Sequence, residues 1–240
     1  MRRGAILSVA LLCGVLVVSA RAGEDARQSF PLSPGTYWIY HGLVRSWLEG
    51  SSVGKVTDVT WKMSVVRVVE RDGISAVVVK GFPSDLDWSE GHAEPQISIL
   101  LATQDAKFYL KGEFDTRSVL DQIDNPKYPL KELIDAGDSI LQLPLSAGQK
   151  FGCDDDAAAR KDGMYCWVVG SPHAAALGGV KGVTSAQRPA YEIDYATLPD
   201  DTEIEFVPGV GVTSYQYHHH GTTADTELHL VEFHSGDPEH

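Results

Sequence analysis

Apolar and polar residues alternate along much of this chain with the period of two expected of strands that bury one face. Val59, Trp61, Met63, Val65 and Val69 alternate with Thr60, Lys62, Ser64 and Glu70. From Thr36 to Leu48 both faces carry large side chains, with Trp38, Tyr40 and Val44 on one and Tyr37, Ile39 and Leu43 on the other. Arg71-Asp72-Gly73 has turn composition, and Ile74 to Val79 returns as the partner strand. Ile97 to Thr103 and Lys107 to Lys111 flank Gln104-Asp105-Ala106 as a second hairpin. Further strands are predicted over Ser139 to Leu143, Met164 to Val169, Tyr191 to Ala196 and Glu203 to Val207. A closing pair, Val212 to His220 and Glu227 to Phe233, joins near Gly221.

Helical spacing is confined to one segment, where Val119, Leu120 and Ile123 share a face. Asp115 stands in the capping position, and Pro126 and Pro129 stop the helix. A short helical turn is expected around Lys131 to Ile134, and the Gly-, Ala- and Ser-rich run Ser171 to Gln187 reads as a flexible loop. The pattern therefore predicts a mainly β fold with one short helix: an antiparallel, strongly curved sheet forming a half-barrel or barrel.

The first 22 residues fall outside that pattern. Arg2 and Arg3 precede an apolar run from Ala5 to Val18, and Ala20-Arg21-Ala22 has the small-x-small form of a cleavage site. The run is too short to favour a membrane anchor. A signal peptide cleaved after Ala22 is expected, leaving residues 23–240 as one β-rich domain in a secreted or bacterial periplasmic location. Cys13 follows Leu12 rather than a small residue, so no lipid attachment is expected there. Loss of Arg2, Arg3 and Arg21 leaves 17 basic against 33 acidic residues, a net charge of −16 with histidines neutral. Such a charge excludes nucleic acid as a natural partner and disfavours docking on anionic lipid.

Cys153 and Cys166 then remain as the cysteines of the exported chain and are expected to pair across a polar loop. Phe30-Pro31-Leu32-Ser33-Pro34-Gly35 is echoed by Leu143-Pro144-Leu145-Ser146-Ala147-Gly148, each followed by an aromatic three residues after the glycine. The echo marks either two similar halves or one turn solution used twice.

Pro31-Leu32-x-x-Gly35-x-x-Trp38-x-Tyr40 resembles the opening of many uncharacterised exported bacterial β proteins. Phe206-Val207-Pro208-Gly209-Val210-Gly211-Val212, ahead of a polar hairpin ending in Glu227-Leu228-His229-Leu230, is similar to the closing meander of half-barrel lipoprotein-localisation carriers and other apolar-ligand binders. The resemblance implies a half-open barrel and an apolar ligand, and it assigns no catalytic residue.

Candidate chemistry is sparse. Gly50-Ser51-Ser52-Val53-Gly54 matches the serine-hydrolase elbow, but it leads into a strand rather than a helix and reads as a hairpin loop. His218 and His220 share a strand face, and His229 on the next strand would complete a zinc or copper site. Asp85-Leu86-Asp87-Trp88-Ser89 begins like a calcium loop, yet Glu90 and Gln96 stand where glycine and an acid are required. No cofactor is implied. Trp38, Tyr40, Trp47, Trp61 and Trp88 form the densest aromatic group and are the candidates to line an apolar cavity. The expected function is binding, without covalent chemistry, of an apolar small molecule, a lipid or an envelope protein. A secreted hydrolase of envelope or extracellular polymers and a structural or interaction protein are the alternatives.

Overall fold

A computed structural model describes residues 28–47, 54–87, 93–112, 116–135, 138–184, 188–220 and 224–236. The expected signal peptide, Trp88 and the Gly50–Val53 part of the elbow-like motif lie outside them.

Six strands form a first run: β1 (Tyr37–Ser46), β2 (Lys55–Arg71), β3 (Ile74–Lys80), β4 (Ile97–Thr103), β5 (Lys107–Lys111) and β6 (Ser139–Gln142). The second run is β7 (Lys150–Phe151), β8 (Trp167–Val169), β10 (Pro189–Ala196), β11 (Asp200–Val207), β12 (Gly211–His219) and β13 (Ala224–His234), with the two-residue β9 (His173–Ala174) pairing β10 to one side. Helix α1 (Thr116–Asp124) lies between β5 and β6, and α2 (Asp155–Ala159) between β7 and β8. The sheet order is β6-β5-β4-β3-β2-β1-β13-β12-β11-β10-β8-β7, antiparallel throughout. The first and last strands pair in the middle, and the sheet curls into a nearly closed barrel.

Alternation decides which side chains turn inward. Trp38, Tyr40 and Val44 of β1 and Trp61, Met63 and Val65 of β2 are buried in the main core. A register shift between Val65 and Arg67 then reverses the parity of β2. Val69, expected on the face of Val65, instead packs outside the barrel, while Val68 joins the inner core. The strands β3 and β4 are buried on both faces because α1 and the turn Leu130–Leu133 cover their outer side. Ile74, Ala76, Ile99 and Leu101 meet Val119, Ile123, Leu130 and Leu133 there, which is why these two strands are almost uniformly apolar.

A twelve-strand barrel is wider than its inward side chains can fill, so other chain segments enter it. Phe30 touches Trp38 of β1, Phe108 of β5 and Phe206 of β11, with ring centroids 6.1, 5.6 and 5.4 Å away. Phe82, Leu86, Leu143, Leu145, Leu177 and Val210, all from connections, belong to the same core. The Ser171–Gln187 loop is thus tied down where it is described. Lys181 N donates to Val231 O at 3.0 Å, and Phe233 N donates to Lys181 O at 2.8 Å.

The two echoed turns make the same three backbone hydrogen bonds. In the first, Thr36 N donates to Ser33 O, Gly35 N to Val65 O, and Val65 N to Thr36 O, at 3.1, 3.2 and 2.8 Å. In the second, Gln149 N donates to Ser146 O, Gly148 N to Val169 O, and Val169 N to Gln149 O, at 3.0, 2.7 and 3.0 Å. Gly35 and Gly148 both need positive φ, 82° and 77°. Each turn opens one six-strand run.

Cys153 and Cys166 are joined in a disulfide. The acidic run inside its loop builds α2: Asp154 Oδ1 caps Ala157 N at 2.8 Å, and Asp155 and Asp156 occupy the first turn.

The β1–β13 junction has no room for a side chain at Gly42, where a Cβ would stand 1.8 Å from Glu227 O. Gly42→Ala should therefore cost more than about 2 kcal/mol in chemical denaturation, well above an ordinary surface substitution.

Candidate functional site

The early aromatics are spent on the core. Trp38 and Tyr40 are fully buried, and Trp61 nearly so. Their polar atoms are committed to carbonyls: Trp38 Nε1 donates to Val210 O at 2.6 Å, Tyr40 OH to Val212 O at 3.0 Å, and Trp61 Nε1 to Gly81 O at 2.9 Å. Trp47, half-buried, lies against Gly54 at the end of the first hairpin. None of these four lines the cavity described next.

That cavity, of about 700 Å³, opens at the barrel mouth beside the Asp72-Gly73 turn. Phe30, Leu32 and neighbouring residues of the Gln28–Pro34 segment form one wall. The other is the inner face of β2, β3 and β4, presenting Val68, Glu70, Ser75, Val77 and Ala102. The β2 register shift turns Val68 and Glu70 inward, and Ser75 Oγ donates to Glu70 Oε1 at 2.7 Å. Sequence reasoning missed the site because the shift breaks the alternation at Val66 and because one wall is a loop.

The opposite mouth carries the histidines. His218 Nδ1 is paired with Asp225, His219 Nδ1 with Asp200 at 2.7 Å, and His220 Nε2 with Asp201 at 2.7 Å. The His218 and His220 rings meet edge to face, centroids 4.9 Å apart. His229 is not brought to them: it faces Ser214, four ladder positions from the His218–Asp225 pair, or about 13 Å along a strand. Beneath the histidines, Tyr217 OH donates to Asp200 Oδ1 at 2.6 Å and Tyr215 OH to Asp87 Oδ2 at 2.5 Å. Burial raises Asp87 well above the carboxylate range, with Asp200 and Asp85 adding to it and the Tyr215 hydrogen bond opposing it. Burial also acts to raise Asp200, but hydrogen bonds from Tyr217 and His219 outweigh it and leave Asp200 below its ordinary value.

A second contact set has the members of a hydrolase triad. Ser214 Oγ lies 3.3 Å from His229 Nδ1, and His229 Nε2 lies 3.2 Å from Glu227 Oε1. Ser214 Oγ also lies 3.2 Å from Leu228 O, so its one hydrogen is contested between the imidazole and that carbonyl. The set is open to solvent and lies outside the cavity.

On the outer face of β10 and β11, Glu192, Asp194 and Glu203 bring their carboxylate oxygens within 4.8 Å of one another. The sequence signal was alternate acids on paired strands, and the register sets Asp194 opposite Glu203 and Glu192 opposite Glu205. Burial, then Glu192 and Asp201, push Asp194 from 3.8 up to about 6. Glu203 is raised by burial and then by Glu192, Asp194 and Glu205, although Gln216 Nε2 donates to it at 3.2 Å.

No protein-family model matches the chain, and no curated protein matches it significantly. Two solved structures are similar to it at a low level. One is a protein described as exported, with a YMCC-like fold, from Bacteroides fragilis NCTC 9343: 12% identity, 85% of this chain and 98% of that one, TM-score 0.38. The other is a protein described as a lipoprotein from Parabacteroides distasonis ATCC 8503: 12% identity, 85% and 97% coverage, TM-score 0.36. Likeness at that level carries no functional argument.

Because the folded protein holds the Asp194 proton more tightly than the unfolded chain, the Asp194 contribution to stability should fall as pH rises from about 4 to about 6 and level off above. Asp194→Asn should flatten that part of the decline and, with half the group screened by solvent, stabilise the protein by about 1 kcal/mol at neutral pH. Urea denaturation across this range measures both effects.

Proposed function

We propose that this chain is an exported, non-catalytic binding protein: a single β domain of two six-strand halves that holds a small amphipathic molecule in its mouth cavity. The observation that carries the reading is the cavity itself. Its volume of about 700 Å³ falls within the range of small-molecule sites, and its walls combine apolar surface from Phe30, Leu32, Val68, Val77 and Ala102 with polar groups from Glu70 and Ser75. The carboxylate and the acidic chain disfavour an anionic head group, so a neutral or cationic ligand fits better. Export is supported by the signal-like Met1 to Ala22 segment and by the Cys153–Cys166 disulfide, a bond that persists in oxidising compartments. Among the described residues no helix is long and apolar enough to cross a membrane.

The uncharged apolar dye N-phenylnaphthylamine tests the site. Binding should saturate at one dye per chain, and Ala102→Phe, which fills the cavity from β4, should weaken it by about tenfold or more. Leu32→Ser, which removes apolar wall from the loop side, should weaken it in the same direction. Thermal melting of each variant checks that the barrel is intact. Absence of saturable binding, or equal binding by wild type and both variants, contradicts the reading.

A further inference from the structure

The barrel mouth opposite the cavity is closed by a short turn that ends on a carboxylate. The turn at Pro83–Leu86 carries Phe82 and Leu86 into the core, where both are buried. It is bonded internally, with Asp85 N donating to Phe82 O at 2.9 Å and Asp87 N to Ser84 O at 3.1 Å. Thr226 Oγ1 of β13 donates to Leu86 O at 3.5 Å, and Tyr215 OH of β12 donates to Asp87 Oδ2. The other carboxylate oxygen, Asp87 Oδ1, is buried and has no hydrogen-bond partner among the described residues.

The surroundings suit a neutral acid and not an anion. Among the described residues, the titratable groups that bear on Asp87 and Tyr215 are Asp200 of β11, Asp85 of the turn itself and Tyr217 of β12, with His219 bonded to Asp200, while His218, His220, Asp201 and Asp225 stand at the same mouth. Tyr217 and His219 are both engaged by Asp200, and Asp85 Oδ2 accepts the Gln96 backbone N–H at 2.8 Å. An ionised Asp87 would hold one orphaned oxygen in a buried place beside two other acids, at a cost a neutral carboxyl avoids.

We propose that Asp87 is a proton-operated latch: protonated, it seats the Phe82–Asp87 turn in the barrel mouth, and on losing its proton it releases that turn and exposes the interior. The direction follows from linkage. The seated turn holds a proton that the released turn, with an ordinary carboxyl in water, gives up. Rising pH therefore favours opening, by about tenfold per pH unit over the span in which only the seated form keeps the proton. Tyr215 moderates the latch, because its hydrogen bond favours the anion and narrows that span. The latch acts at the end of the barrel away from the cavity, and it does not depend on what the cavity binds.

Amide exchange of the full chain, read by NMR as protection factors corrected for intrinsic rates, tests the latch between about pH 5 and pH 7. Protection at the Asp85 and Asp87 amides should fall with rising pH, by up to about tenfold per pH unit, while that of central β12 amides does not change with it. Asp87→Asn should make the turn's protection independent of pH. Tyr215→Phe should keep the slope and extend it to higher pH, which leaves the test decisive should the asparagine variant fold poorly. A flat profile in the wild type, a slope that survives Asp87→Asn, or a slope shared by the β12 amides would overturn the proposal.

Discussion

A ring of twelve strands encloses more space than its inward side chains fill, and most of this molecule answers that constraint. The large inward residues are held in place through backbone carbonyls of the connections, as with the Trp38 indole on Val210 and the Tyr40 hydroxyl on Val212. Connections also become core: Phe30 bridges strands of both runs, and Phe82, Leu86, Leu145 and Leu177 enter from other directions. Trp38, Tyr40 and Trp61, three of the aromatics that look most like a ligand site in one dimension, are therefore consumed in making the barrel solid. Among the described residues, space remains where the Gln28–Pro34 segment stands off from β2, β3 and β4.

Polar groups sort by the same geometry. On the outer wall, imidazoles and carboxylates meet as exposed pairs worth little individually, as for His220 with Asp201 and His229 with Glu227. The pairing of Asp194 with Glu203 runs the other way, because strand register sets like charges opposite one another. At the opposite mouth the carboxyl of Asp87 enters with the turn that carries Leu86, so one segment supplies both an apolar plug and an acid whose proton burial holds more tightly than water would.

Much of the fold was legible in the sequence, since period-two patterning survives wherever one face is buried. The predicted bounds of the fourth and fifth strands, Ile97–Thr103 and Lys107–Lys111, are those observed, and the helix centred on Val119 and Ile123 forms where its apolar face pointed. The Cys153–Cys166 pair was legible because, with Cys13 set apart in the expected signal peptide, two cysteines remain and have one way to join. Val69 was misplaced because a one-residue shift leaves no compositional mark yet flips every later side chain. The two-residue strand at Lys150–Phe151, the capped turn at Asp155–Ala159 and the pairing of His173–Ala174 were too short to leave a period. For the cavity, Glu70 and Ala102 are 32 positions apart and carry no shared motif; only the barrel brings them to one wall.

Xenon-pressurised crystals test most directly the claim that the space beside Phe30 stays open while the surroundings of Trp38, Tyr40 and Trp61 are packed solid. Xenon enters apolar voids without needing a polar partner. The account predicts xenon between Phe30, Val68, Val77 and Ala102, with none beside Trp38, Tyr40 or Trp61. Xenon seated among those three aromatics, with the mouth empty, would contradict it.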